Sequence, residues 1–86
     1  MSTMSKPKMR LRCRRGMLEL DVMLTHFIDK CYDTLSEEEL RDFARLLEYS
    51  DTSLLSWLLR SQQPDSAHLV HIVDKIIAAY HDSDVV

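Results

Sequence analysis

The sequence predicts an all-α fold, a small five-helix bundle, and three observations carry that expectation. Apolar residues recur at the three-and-four spacing of a helix face in segment after segment, and no stretch reads as a strand with turn chemistry. The residues that break helices, Pro64 and the single glycine Gly16, fall between the periodic segments. Nothing repeats at a period that suggests a solenoid. The 86 residues are expected to form one domain, 1–86, with a flexible basic arm over 1–8 and a frayed tail over 82–86.

Met9 to Arg15 reads as a short helical piece, although Met9, Leu11 and Cys13 alternate with arginines and leave its period ambiguous. Beyond Gly16 the pattern is plain. Leu20, Met23, Leu24, Phe27, Ile28 and Cys31 share one face of a core-facing helix of about fourteen residues. Val22 projects away from that stripe, with Glu19 and His26 on its flank, and an apolar Val22 beside Glu19 hints at a contact surface.

Ser36 and Glu39 form a capping box at the start of the next helix, with Leu35 and Leu40 placed for a hydrophobic staple. Glu37, Glu38 and Glu39 occupy its first turn, where the positive end of the helix dipole favours carboxylates. Leu40, Phe43, Ala44 and Leu47 make its buried stripe, with Leu46 beside it, and Glu48 closes it. Ser50-Asp51 caps a short helix whose Leu54, Leu55, Trp57, Leu58 and Leu59 are apolar nearly all round, so it must be covered on several sides. Trp57 is therefore assigned to structure. Arg60 to Pro64 is a polar connection that Pro64 prevents from continuing the helix. Asp65 or Ser66 caps the last helix, which carries Leu69, Ile72, Val73, Ile76, Ile77 and Tyr80 on one face.

With 45% apolar and 29% charged residues the chain is neither disordered nor membrane-spanning, because no run approaches the ~18 apolar residues of a spanning helix. The N-terminus lacks the apolar core of a secretory signal, and a cytoplasmic location is expected. Cys13 and Cys31 form no Cys-x-x-Cys pair and are read as reduced thiols, Cys31 as a small hydrophobe on the stripe above.

The net charge of −3 conceals a division. Residues 1–18 hold six basic side chains and no acidic one, and residues 19–86 hold five basic and all fourteen acidic ones. Such an arm suits nucleic acid, an acidic partner, or docking on its own acidic body.

The search for catalytic chemistry returns no catalytic residue. One glycine cannot build a phosphate-cradling loop. His68 and His71 lie three apart on the last helix, but no matching ligand pair is evident in the sequence, so no metal is expected. Cys13 lies near arginines without an identifiable histidine base.

The stretch Arg14-Arg15-Gly16-Met17-Leu18-Glu19-Leu20-Asp21 marks the junction of basic arm and acidic body. Glycine reaches positive φ cheaply and admits a neighbouring backbone, so Gly16 either caps a short helix among solvated charges or marks a contact. Arg15-Gly16-Met17-Leu18-Glu19 matches the Arg-Gly-x-x-Glu signature of the small succinate dehydrogenase assembly factors, also called FAD assembly factors or flavinators. The resemblance continues through Leu20-Asp21, Tyr32-Asp33-Thr34-Leu35-Ser36 with Glu39, Phe43, Arg45-Leu46-Leu47-Glu48, Asp51, Leu54 and Trp57-Leu58, and it resembles a bacterial member. Where the family often has a glycine, this chain reads Leu59-Arg60-Ser61.

A monomer is expected, and the resemblance implies a five-helix domain that binds the flavoprotein subunit of succinate dehydrogenase, or of fumarate reductase, and promotes covalent attachment of FAD to a histidine there. It implies a chaperone and not an enzyme, with no cofactor bound by the chain itself. The implied partner surface is Arg15, Gly16 and Glu19, with Arg14, Asp21 and Val22 as neighbours. Arg15 could give a fork of hydrogen bonds to partner carboxylates or carbonyls, and Glu19 could order Arg15 or accept bonds from the partner. Two rival readings are a helical interaction adaptor, antitoxin-like, and nucleic-acid binding through the Lys6 to Arg15 arm, which lacks interleaved aromatics.

Overall fold

Five α-helices make up most of residues 5–84, the part of the chain that this computed structural model describes. They are α1 (Lys6–Arg12), α2 (Leu18–Cys31), α3 (Glu37–Leu46), α4 (Asp51–Leu58) and α5 (Ala67–Asp84), with a 3-10 turn at Tyr32–Thr34 after α2. α5 packs along α2 and α3 and touches α4, and α1 lies on α2. The five-helix bundle expected from periodicity is the fold observed.

The core follows the apolar stripes. Leu20, Met23, Leu24, Phe27 and Ile28 of α2 meet Leu69, Ile72, Val73, Ile76 and Ile77 of α5, all buried. Phe27 and Phe43 pack with ring centroids 5.4 Å apart, and Tyr49 meets Trp57 edge-on at 5.1 Å. Trp57 is buried, as its structural assignment requires. At the start of α3 the capping box closes in both directions: Glu39 N–H donates to Ser36 Oγ, and Ser36 N–H donates to Glu39 Oε1, each at 3.0 Å. The same Glu39 meets His71 Nε2 at 3.0 Å and accepts from Lys75 Nζ at 2.9 Å, tying α3 to α5. These bonds from His71, Lys75 and the Ser36 backbone hold its carboxyl down at about 2.

Several expectations are corrected. Of the arm expected to be flexible over 1–8, Lys6 to Lys8 are helical, because Pro7 in the first turn presets φ and Met9 anchors the helix in the core; residues 1–4 lie outside the described residues. The short helix accordingly runs from Lys6 to Arg12 and stops before Arg15. The tail expected to fray from residue 82 continues α5 to Asp84, and residues 85–86 lie outside the described residues. The thiol in the core is Cys13, fully buried, while Cys31 is half-buried where α2 gives way to the 3-10 turn. α3 ends at Leu46, with Leu47 as its C-cap, two residues before Glu48. Leu59 at the end of α4 is exposed, so this helix is covered on fewer sides than its composition suggested.

The end of α4 explains the departure at Arg60. Arg60 has φ 65°, Ser61 N–H donates to Ser56 O at 2.8 Å and Arg60 N–H to Trp57 O at 3.2 Å. These are the two bonds of a Schellman motif, whose left-handed position is the one that favours glycine.

Candidate functional site

The turn between α1 and α2 is built by internal acids. Gly16 has φ 92°, a conformation that residues with a Cβ rarely adopt, and no atom lies within 4 Å of where a Cβ would stand. Its conformation demands glycine, and the space beside it is open. Asp21, one turn into α2, reaches back to the turn: its Oδ1 accepts from Arg15 N–H at 2.6 Å and its Oδ2 from Gly16 N–H at 3.2 Å. Two backbone donors that a tight turn would leave unsatisfied are thereby held by one half-buried carboxylate.

The Arg15 side chain turns inward and spends its fork within the chain. Nη1 donates to Leu47 O at 2.8 Å, Nη2 to Tyr49 O at 2.5 Å, and Nε to the Asp51 carboxylate. Leu47 and Tyr49 offer carbonyls where α3 ends, and Asp51 stands in the first turn of α4. The α3 dipole favours the guanidinium at its negative end, and the α4 dipole favours the Asp51 carboxylate at its positive end. Arg15 is thus a clamp between the α1–α2 turn and the α3–α4 junction, with its side chain only 16% exposed. The fork foreseen for a partner is already occupied in the free chain.

Glu19 is exposed and takes part in no hydrogen bond or ion pair among the described residues, so it does not order Arg15; Asp21 and Asp51 do that. Val22 is exposed, as its position off the stripe predicted, and Arg14 is exposed beside it. Leu18, which the sequence reading passed over, is 79% exposed. The available signal was its i, i+4 spacing from Val22, which puts two apolar side chains on the face of α2 opposite the core stripe. Leu18 and Val22, with Arg10, Arg14, Asp21 and His26, line a shallow groove of about 470 Å³ between α1 and α2.

On the far side of this groove Arg10 grips Asp29 with two bonds of 2.7 and 3.1 Å, which holds the Asp29 carboxyl below its ordinary value. Part of the basic arm is therefore docked on the acidic body. His26 is half-buried with its ring edge toward Tyr80, and its Nε2 is buried without a hydrogen-bond partner among the described residues. Cys13 donates its S–H to Met9 O at 3.3 Å, and burial pushes its thiol up to about 12, so it stands protonated at neutral pH.

One turn of this helical scaffold is thus locked by an arginine and two internal acids, and an apolar pair and an unbonded carboxylate stand open beside it. The model of the Sdh5 family, described as flavinator of succinate dehydrogenase, matches residues 7–80, and the chain belongs to this family. Among its relatives is the FAD assembly factor SdhE of Vibrio vulnificus (strain YJ016), 44% identical over 77 residues and 90% of each chain. The FAD assembly factor SdhE of Serratia sp. (strain ATCC 39006) is 42% identical over 72 residues, 84% of this chain and 82% of its own. That of Idiomarina loihiensis is 44% identical over 70 residues, 79% and 78% of the two chains.

Proposed function

We propose that this chain is an assembly factor that docks on the flavoprotein subunit of succinate dehydrogenase, or of the related fumarate reductase, and promotes covalent attachment of FAD to a histidine of that subunit. The family and the FAD assembly factors among its relatives support the role. The observation that carries the docking surface is the open face of the locked turn, where Gly16, Leu18, Glu19 and Val22 stand exposed beside a backbone already fixed by Asp21 and Arg15. Rigid backbone lowers the ordering cost of association, and an unbonded Glu19 is available to partner donors.

The bond-forming chemistry belongs to the client. Cys13, the one fully buried thiol, is held protonated, and the chain acts as a chaperone that holds FAD and client in a productive geometry. In this reading the productive geometry it holds is that of the client, it binds no FAD by itself, and it works as a cytoplasmic monomer. The nucleic-acid alternative is weakened by the arm's own pairing, since Arg10 and Arg15 are engaged by Asp29 and Asp51.

Expression of the flavoprotein subunit with and without this protein, read by in-gel flavin fluorescence, tests the proposal. Covalent flavin should rise on co-expression and fall with Gly16→Arg or Glu19→Ala while those variants keep the helical circular dichroism of the parent. Flavinylation unchanged by the protein, or unchanged by Gly16→Arg in a folded variant, overturns it.

A further inference from the structure

Where α3 packs on α5, three potential ligands come to one spot. Glu38 and Asp42 are four residues apart and share a face of α3, and His68 comes from the first turn of α5. His68 Nδ1 lies 3.5 Å from Glu38 Oε2 and 3.6 Å from Asp42 Oδ2, and all three ligand atoms lie within 4.8 Å of one another. Bonds of about 2.0–2.1 Å at a tetrahedral angle separate neighbouring ligand atoms by roughly 3.3–3.4 Å, so two of the three edges are within a few tenths of an ångström of that spacing. A small groove lined by these residues with Ser36, Glu39, Ala67 and His71 opens to solvent beside them, leaving room for water as a further ligand; Glu39 and His71 are bonded to each other.

A second observation concerns Asp42 alone. It is the one charged residue in the core's buried set, with its side chain 9% exposed, and among the described residues no hydrogen bond reaches its carboxylate. Only a small edge of that carboxylate, open to the adjoining groove, is left to water, and a second carboxylate at i, i+4 adds repulsion. His68 approaches it at 3.6 Å, a separation longer than a hydrogen bond. The capping box and Lys75 are committed to Glu39, the neighbour of Glu38, and do not reach Asp42.

We propose that Glu38, Asp42 and His68 form a binding site for a divalent transition-metal ion of the Zn²⁺ class, which joins α3 to α5. The ligand set selects among ions: an imidazole suits Zn²⁺ and its neighbours, whereas Mg²⁺ and Ca²⁺ favour all-oxygen shells. The cation supplies the partner that the Asp42 carboxylate lacks and offsets the repulsion between the two acids. With three protein ligands the shell stays open at one position, and the ion holds together two helices that are far apart in sequence.

The test uses the full chain, stripped of metal, with ZnCl₂ as probe in isothermal titration calorimetry and in thermal unfolding. One Zn²⁺ per chain should bind and, at about 100 times its Kd, raise Tm by roughly 5 °C or more, while MgCl₂ leaves Tm unchanged. His68→Ala removes a ligand from an exposed position with little risk to the fold, and it should weaken Zn²⁺ by tenfold or more, at least the effect of losing a supporting group. Asp42→Asn should do the same. His81→Ala, an exposed histidine near the other end of α5, should leave the affinity unchanged. No binding at 100 μM Zn²⁺, or equal binding by the parent and His68→Ala, overturns the proposal.

Discussion

Arg15 holds the turn of the proposed docking site from within the chain. Its three donors are committed to Leu47 O, Tyr49 O and Asp51, so its removal strands two helix-end carbonyls and a carboxylate together. Arg15→Ala should cost about 2–3 kcal/mol in denaturant unfolding, and Arg15→Lys should recover less than half, since an ammonium cannot span three acceptors in a plane. Loss of flavinylation in Arg15→Ala at unchanged stability would show instead that the guanidinium leaves its clamp to meet the client. Cys13 gives a second test at this scale. Burial pushes its thiol up from the ordinary value near 9 to about 12, so between these values the unfolded chain has given up the proton and the folded chain has not. Stability is therefore fully present below pH 9 and falls as pH rises toward 12, by up to about 1.4 kcal/mol per pH unit from this group. Comparing urea midpoints of the parent and Cys13→Ala from pH 8 to 10.5 isolates that slope; equal slopes would remove the buried thiol as its source.

At the level of elements, what was legible in the sequence was what is local. The capping box of Ser36 and Glu39, the α2 stripe and the Ser50 cap depend on residues three or four apart, and each stands where its spacing put it. The Arg15 clamp spans 36 residues and the Asp42–His68 approach spans 26, and no helical period carries that information. Cys31 packs against the core as a half-buried small hydrophobe and not within it, because α2 passes into a 3-10 turn just there. Gly16 could be read as a glycine that either caps or contacts; its φ and its open surroundings fit both roles. The left-handed end of α4 gives a prediction about element ends. Arg60 holds that conformation with a side chain and partly compensates through its exposed ion pair with Asp74 at 2.8 Å, a contact worth ~0–1 kcal/mol. Arg60→Gly should be more stable than Arg60→Ala by about 1 kcal/mol, since both lose the ion pair and only alanine keeps a Cβ at positive φ. Equal melting temperatures for the two variants would show that the strain is negligible.

At the scale of the whole molecule, charge and contact are divided along the same N-terminal third, and kinetics can separate them. Lys6 and Lys8 extend from α1 without entering the locked turn, whereas Glu19 and Val22 stand beside Gly16 on the open face. Charges outside a contact centre act mainly on encounter, so replacing Lys6 and Lys8 with Gln should slow association with the purified flavoprotein subunit and flatten its salt dependence, with little change in dissociation. Arg10 is left out of that pair because its grip on Asp29 makes it part of the fold. Glu19→Ala removes a side chain with no bond to its own chain, so fold stability should hold while dissociation quickens by roughly thirtyfold, the kinetic equivalent of about 2 kcal/mol for a partner donor left unpaired. Val22→Asp should weaken the complex at unchanged Tm, because Val22 lies outside the core. Association and dissociation rates at two salt concentrations would read all three variants together. A Glu19→Ala variant that leaves the client at the parent's rate would move the centre of the contact away from the Gly16 turn.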